Sequence, residues 1–320
     1  MLADFRDKKM TYNNSKISFI IPAYNCADTL VESIESIFKG NFEDGDEVII
    51  VNDASTDKTW QIINDLQKKY PVIEAISHNI NKGSAAAGRN TGIDYSKNNL
   101  IFCLDSDNVL APNTVPALKK HLLEQNADVA TFGELHFFKE DIKKITHKWI
   151  FKDGQIKLGG ALVGSIWPGP SGNYLFTKKS WLNAGRYNES IGGAYDSWAF
   201  GIKQLATGSK MVVMKNSFYY HRAGHESAFI RDKDKIKVSL IALSVLINFL
   251  GMIEEEDVDY IMSKEHRYSW FDNLEKRPIR LKNSPVVGMN GFRTNYSKQK
   301  MWHIILISKL AKSLKHILKI

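Results

Sequence analysis

The chain has 320 residues, of which 43% are hydrophobic and 24% charged, so it can form a large folded domain with a buried core. No apolar run reaches 18 residues and the first 14 residues, which include five charged ones, have no apolar core, so neither a spanning helix nor a signal peptide is expected. The two cysteines, Cys26 and Cys103, are too few for a disulfide framework. They predict buried free thiols in a reducing cytoplasm.

The first hundred residues after a tail at 1–15 alternate between apolar runs and segments with helical periodicity. Strands are predicted at 16–22, 47–51, 72–76 and 100–104, and helices at 29–37, 59–69 and from the small-residue segment 81–92. This alternation is typical of βαβ units around a parallel sheet. Polar residues at the carboxyl ends of such strands should face one crevice, where ligands of open α/β sheets bind.

Two carboxylates, Asp105 and Asp107, follow the apolar run at 101–104. Carboxylate oxygens suit Mg²⁺ or Mn²⁺, and such a cation would neutralise a diphosphate leaving group. An Asp-x-Asp triplet by itself is also common in turns. Its position after a predicted buried strand favours the metal site.

Four motifs, at 20–25, 51–57, 83–92 and 104–107, together resemble the signature of family 2 glycosyltransferases, which are inverting enzymes with the GT-A fold. The resemblance covers about residues 16–225. It implies a nucleotide-sugar donor site in the half at 16–110, an acceptor site in the half at 111–228, and a cofactor that is Mn²⁺ or Mg²⁺. By the same resemblance Asp107 would bind the metal, and Asp105 the ribose or a metal-bound water.

Five further residues belong to the predicted donor site. The loop after the first strand supplies Pro22, Tyr24 and Asn25, and Tyr24 can contact the base or ribose. Asp53 can accept a hydrogen bond from a uracil-like imide, which favours a UDP-sugar, although it could instead cap a turn. Arg89 can pair with phosphate oxygens, and it can also form an ion pair with a strand-end acid such as Asp105.

The catalytic base is predicted at Asp196, after the Gly- and Pro-rich loop 159–173. An inverting transfer needs one carboxylate to take the proton of the acceptor hydroxyl. Family members usually have Glu-Asp here, and Tyr195 replaces that Glu, which puts the acceptor type in doubt. Asp196 could alternatively cap the helix predicted at 197–207, and Glu189 is the second candidate base.

The segment 219–227 resembles the family's aromatic strand and the polar loop that follows it. His225 is predicted as a metal ligand or a phosphate contact, and His221 is the alternative. Arg222 or Ser227 could bind the phosphate instead.

Residues 229–320 are predicted to form a basic helical region. Residues 264–320 contain 13 Lys and Arg against 3 Asp and Glu, whereas the rest of the chain contains 30 against 32. The last helix pairs an apolar face with lysines, which suits an anionic membrane surface. Docking onto its own domain or a partner subunit is the second possibility, and nucleic acid is disfavoured because no binding motif accompanies the charge.

The sequence therefore predicts a metal-dependent inverting glycosyltransferase, cytoplasmic or peripheral at the inner membrane face. Its acceptor would be a glycan or a lipid-linked sugar of a surface polysaccharide, and a homo-oligomer is possible. A binding or scaffold protein without turnover is the alternative, favoured by Tyr195. A sugar-phosphate nucleotidyltransferase is disfavoured, because the loop 22–25 lacks the expected glycines and cations.

Overall fold

The structure is a computed structural model that describes residues 15–156, 172–191 and 196–224. Its strands are β1 (Ile17–Ala23), β2 (Glu47–Asn52), β3 (Ile73–Ser77), β4 (Leu100–Cys103), β5 (Val109–Leu110), β6 (Val129–Phe138), β7 (His147–Ile150), β8 (Gly154–Ile156), β9 (Leu175–Thr177) and β10 (Met211–Arg222). They form one mixed sheet in the order β3-β2-β1-β4-β9-β6-β10-β5, with β7 beside β6 and β8 beside β10.

Helices cover both faces of this sheet. They are α1 (Leu30–Phe38), α2 (Thr59–Lys69), α3 (Ala85–Tyr95), α4 (Thr114–Glu124), α5 (Lys178–Asn183) and α6 (Asp196–Ala206). Apolar side chains of α1, α2 and α4 share one core with Phe19, and those of α3, α5 and α6 share the other with Ile20. Strand β1 is buried on both faces because successive side chains of a strand point to opposite sides.

The parallel half of the sheet agrees with the sequence prediction. Strand β1 pairs in parallel with β2 and β4, and β2 with β3, so the carboxyl ends of four strands share one edge. Most predicted ends of strands and helices lie one residue from the observed ends, and α2 has the predicted bounds. Helix α3 differs more, since it spans Ala85–Tyr95 where the sequence indicated 81–92. At the start of α1 the structure places Thr29 as N-cap, with no side-chain bond to the helix.

The second half is less regular, and the sequence analysis assigned none of the elements between 111 and 158. Strand β9 is antiparallel to β4 and β6, and β6 runs parallel to the long strand β10. The predicted domain limit at residue 228 and the basic region 229–320 lie outside the described residues. Among those described, no helix is both long and apolar enough to cross a bilayer.

Candidate active site

A buried arginine on α3 joins two of the predicted acids. Arg89 Nη2 donates to Asp105 Oδ1 at 2.6 Å, and Arg89 Nη1 donates to Asp196 Oδ2 at 2.5 Å. The Arg89 side chain is only 4% exposed. The ion pair weighed for Arg89 from sequence is therefore present, and it also includes Asp196. Its direct contact with the donor stays a prediction.

Small residues in α3 bring Arg89 close to the sheet. A Cβ on Gly88 would lie 2.9 Å from Pro22 Cβ, and one on Gly92 would lie 2.5 Å from Ile20 Cγ2. These glycines therefore serve packing of α3 against β1. At Gly88 the space that a side chain would take is filled by Pro22.

Asn173 is a site residue that the sequence analysis missed. Its Oδ1 accepts from the backbone N–H of Asp105 at 2.7 Å, and its Nδ2 donates to Asp105 Oδ2 at 3.0 Å. Gly172 before it packs on the guanidinium, since a Cβ there would lie 2.8 Å from Arg89 Nη2. The last two residues of the Gly- and Pro-rich loop therefore contact the ion-pair cluster. Only the antiparallel pairing of β9 with β4 brings Asn173 to this place.

The surroundings of Asp105 favour the neutral form of its carboxyl group. Burial raises the pKa of Asp105 to about 6, Arg89 opposes the shift, and the neighbouring charge of Asp107 adds to it. One guanidinium is shared by two carboxylates, and Asp107 brings a third acid to the same loop. The cluster therefore carries more negative charge than its arginine neutralises.

A second arginine fixes the loop that carries Asp107. Arg222 Nε donates to the backbone oxygen of Asp107 at 3.0 Å, Nη1 donates to the backbone oxygen of Lys139 at 3.1 Å, and Nη2 binds Glu32. All three nitrogens of Arg222 are thus used within the protein. A guanidinium has five N–H donors, so the alternative that Arg222 binds phosphate stays a prediction.

The two carboxylates of this loop are suitable ligands for a hard divalent cation. Mg²⁺ commonly binds proteins through one or two carboxylates together with substrate phosphates, and Asp105 and Asp107 supply two. The raised pKa of Asp105 comes chiefly from burial, and the neighbouring charge of Asp107 adds to it, so a bound cation would favour the ionised form. Within the described ranges no cluster of three or more His, Cys, Asp and Glu residues could hold a metal. His225 lies outside those ranges, so its predicted role stays a prediction.

Asp53 lies at the end of β2, two strands from Asp105, and its carboxylate is 9% exposed. Its Oδ1 is 2.6 Å from His78 Nδ1, and both carboxylate oxygens accept from the backbone N–H of Lys82, at 3.0 and 3.1 Å. His78 was missed in the sequence. The register of β2 with β3 could have found it, since Asn52 pairs with Ser77 and the next residue of each strand is then adjacent.

The loop after β1 lies beside the loop after β2. Asn25 takes a left-handed backbone with φ 46°, and its Oδ1 accepts from the N–H of Thr56 at 2.8 Å. Tyr24 is 37% exposed next to it, and Pro22 is half-buried against Gly88. Asn25 thus joins two strand-end loops, while Tyr24 stays accessible for the predicted contact with a base or ribose.

Asp196 is the first residue of α6, and both of its oxygens are engaged. Oδ2 binds Arg89, while Oδ1 accepts from the N–H of Ser197 at 2.7 Å. The carboxylate accepts from the next residue and not from one two or three positions further on, so these contacts are not those of an N-cap. Glu189, the second candidate base, is held by the Nδ2 of Asn90 at 2.8 Å and does not join the Arg89 cluster among the contacts found. Tyr195 lies outside the described residues.

Comparison with known proteins identifies the family. The family model described as glycosyl transferase family 2 matches residues 18–184, just over half of the chain. The glycosyltransferase GlyG of Streptococcus pneumoniae is 32% identical over 125 residues, which are 39% of this chain and 41% of GlyG. A Campylobacter jejuni protein named GalNAc(5)-diNAcBac-PP-undecaprenol beta-1,3-glucosyltransferase is 27% identical over 257 residues, 79% of this chain and 78% of that protein.

Coverage differs between relatives. The match to the poly(ribitol-phosphate) beta-glucosyltransferase of Bacillus spizizenii, 31% identical over 157 residues, covers 45% of this chain and 25% of that protein. The chain thus spans less than half the length of GlyG and of this enzyme.

Solved structures share the fold. Staphylococcus aureus TarS 1-349 in complex with UDP-GlcNAc superposes with a TM-score of 0.63 at 18% identity, covering 91% of this chain and 79% of that one. At this identity the likeness concerns the fold alone, and it confirms the predicted GT-A-like architecture. With the family match, it shows that the chain belongs to glycosyl transferase family 2.

Proposed function

We propose that the chain is a metal-dependent inverting glycosyltransferase that uses a UDP-sugar donor. The observation that carries the proposal is the bridge from Asp105 through Arg89 to Asp196. It supports the proposal because it joins Asp196 to the loop of the two strand-end acids. A base and a leaving-group site must lie on opposite sides of one reacting carbon, and a shared guanidinium fixes their separation.

In the proposed reaction Asp196 takes the proton of the acceptor hydroxyl while that oxygen attacks the anomeric carbon. The bond to the diphosphate breaks in the same displacement, so the configuration inverts. Arg89 orients Asp196 through the hydrogen bond to Oδ2. A bound Mn²⁺ or Mg²⁺ would supply charge neutralisation for the departing diphosphate, with Asp107 and Asp105 as the residues to hold it.

The donor proposal is supported by the acid at the end of β2 and by relatives. The TarS structure was solved with UDP-GlcNAc, and an Escherichia coli relative with 42% identity over 91 residues is named a UDP-Glc:alpha-D-GlcNAc-diphosphoundecaprenol beta-1,3-glucosyltransferase. These 91 residues are 28% of this chain and 35% of that protein. We extend from these names to a glycan or lipid-linked acceptor in surface polysaccharide synthesis, reached by peripheral association with an anionic membrane.

A non-catalytic nucleotide-sugar-binding protein is the second candidate, because Tyr195 replaces the Glu usual in the family. UDP release from UDP-glucose and UDP-GlcNAc, with Mn²⁺ and after chelation, separates the two. We expect metal-dependent release that falls about 10²–10⁴-fold in Asp196→Asn, while UDP binding by calorimetry is kept. Asp94→Asn is the matched control, because Asp94 is an exposed acid on α3.

Each contrary result has a separate meaning. Binding of UDP without release from either sugar would favour the binding protein, provided a wider set of UDP-sugars also gives none. Full release by Asp196→Asn would remove the base assignment. UDP release that persists after chelation would contradict the proposed metal dependence.

A further inference from the structure

His78 lies where it can determine how Asp53 meets a ligand. It follows β3 directly, and its backbone N–H donates to the oxygen of Asn52 at 2.9 Å, which fixes its backbone beside the end of β2. The side chain is 11% exposed, and its Nδ1 lies 2.6 Å from Asp53 Oδ1. No sequence motif marked this residue, and the family resemblance assigned it no role.

The other ring nitrogen is also engaged. His78 Nε2 lies 2.9 Å from the hydroxyl Oγ1 of Thr91 on α3. An ionised carboxylate only accepts hydrogen bonds, so Nδ1 donates to Asp53 and, in the neutral ring, Nε2 accepts from Thr91. Both the orientation and the tautomer of the ring are therefore set by the protein. Thr91 stands two residues after Arg89, so one helix supports both the ion-pair cluster and this ring.

The two carboxylate oxygens of Asp53 differ in the number of hydrogen bonds that they accept. Oδ1 accepts from His78 and from the backbone N–H of Lys82, whereas Oδ2 shares only that same N–H, at 3.1 Å. A carboxylate oxygen has two lone-pair sites, so Oδ1 is filled and Oδ2 keeps one. The carboxylate is thereby reduced to a single acceptor for an incoming group.

A single acceptor matches some bases and not others. Uracil presents one ring N–H between two carbonyls, and one oxygen satisfies it. Guanine presents a ring N–H beside an amino group, and this pair needs both oxygens of a carboxylate. With Oδ1 occupied by His78, one donor of guanine would stay unpaired on binding, and an unpaired buried polar group weakens binding.

We propose that His78 is a positioning residue that selects uridine over guanosine nucleotides by occupying one oxygen of Asp53. This inference rests on the proposed function, because it takes Asp53 as the acceptor for the base. It goes further by assigning the selectivity to a residue that does not itself touch the base. Thr91 is the second member, since its hydroxyl fixes the ring.

The experiment measures UDP and GDP affinities by calorimetry for the wild-type protein and four variants. His78→Ala removes the ring that donates to Asp53, and His78→Asn replaces it with an amide that can reach Oδ1. Thr91→Val removes the hydroxyl group and keeps a similar side-chain shape. Asp53→Ala removes the carboxylate that would accept from the base. Glu74→Ala is the control, because Glu74 is an exposed residue of β3, the strand that His78 follows. Thermal melting checks that each variant is folded.

We expect the wild-type protein to prefer UDP by roughly tenfold or more, as one unpaired polar group would produce. His78→Ala should lose most of this preference and Thr91→Val part of it, whereas His78→Asn and Glu74→Ala should keep it. In UDP release, His78→Ala should raise KM and change kcat little, since it alters ground-state and transition-state binding alike.

The results also separate this proposal from the proposed function. A wild-type preference that is lost in Asp53→Ala but survives in folded His78→Ala overturns the role of His78 and leaves the UDP donor in place. A kcat loss as large as the KM change would make His78 a structural residue and overturn the proposal. A wild-type protein without preference for UDP overturns both. A UDP preference that persists in folded Asp53→Ala overturns the roles of Asp53 and His78 and leaves the UDP donor in place.

Discussion

Asp53 and Asp105 end strands on either side of β1, yet the protein holds their carboxylates by different means. Asp53 is held by an imidazole and a backbone N–H from the neighbouring strand's loop. Asp105 is held by a buried guanidinium and by Asn173, which is 68 residues away in sequence. Only the second arrangement balances buried charges against each other, so the two acids should respond very differently to mutation.

The largest effect is expected from removing the charge of Arg89, which pairs with both Asp105 and Asp196. Arg89→Met would leave the buried carboxylate of Asp196 and the partly buried one of Asp105 without their cation, which costs about 3–5 kcal/mol of unfolding free energy. Urea unfolding with and without chelator measures it. Arg186→Met is the control: Arg186 also pairs with an aspartate, but both side chains are more than 40% exposed. Exposed pairs contribute about 0–1 kcal/mol.

Similar losses in both variants would show that the Arg89 cluster is not distinguished by its burial. A destabilised Arg89→Met that still released UDP at the wild-type rate would limit Arg89 to a structural role. That result would also contradict the assignment of Asp196 to the reaction centre.

The next effect concerns pH and applies to Asp105. Its pKa is raised from the ordinary 3.8 to about 6, chiefly by burial. Between these values the folded protein binds a proton that the unfolded chain has released. Stability contributed by this group therefore falls as pH rises from about 4 to about 6, by up to roughly 3 kcal/mol for two pKa units. Above pH 6 the loss is complete.

Asp105→Asn should remove this slope, because an amide does not titrate. Urea unfolding of the two proteins at pH 4, 5, 6 and 7, in chelator, gives the difference curve. Asp94→Asn, at an exposed acid, should leave the slope unchanged. A wild-type stability that rises with pH across this window, relative to Asp105→Asn, would contradict the raised pKa.

The donor half was largely readable from sequence because its rules are local. Alternating strand and helix patterns imply a parallel sheet, and a parallel sheet brings Asp53 and Asp105 to one edge. Arg89 could be predicted to meet a strand-end acid, since α3 begins beyond that edge. Asp196 was found only through a family resemblance, and no pattern in residues 89–196 states that it shares a guanidinium with Asp105.

The acceptor half followed less from sequence because its pairing is nonlocal. Strand β6 is a ten-residue, mostly apolar run that could have been assigned, yet its position between β9 and β10 depends on partners about 45 to 80 residues later. Asn173 reaches Asp105 only through the antiparallel pairing of β9. His78 differs from both cases, because the register of two adjacent parallel strands would have placed it beside Asp53.

The smallest expected effect tests whether the Asp107 loop depends on a charge or on backbone contacts. Arg222 binds the backbone oxygens of Asp107 and Lys139, and it also pairs with Glu32, whose side chain is 41% exposed. Lysine keeps the charge but lacks the planar fork that makes three separate contacts. We expect Arg222→Lys to lose about 1–2 kcal/mol of unfolding free energy and to need several-fold more Mn²⁺ for half-maximal UDP release.

Glu32→Gln supplies the comparison, because it removes the ion pair and leaves both backbone contacts. It should cost less than about 1 kcal/mol and leave the Mn²⁺ requirement unchanged, as an exposed pair contributes little. The double variant then tells whether the two losses add. A Glu32→Gln defect as large as that of Arg222→Lys would mean that the ion pair fixes this loop. The loop of Asp107 would then depend on an exposed charge, in contrast to Asp105, whose carboxylate depends on a buried one.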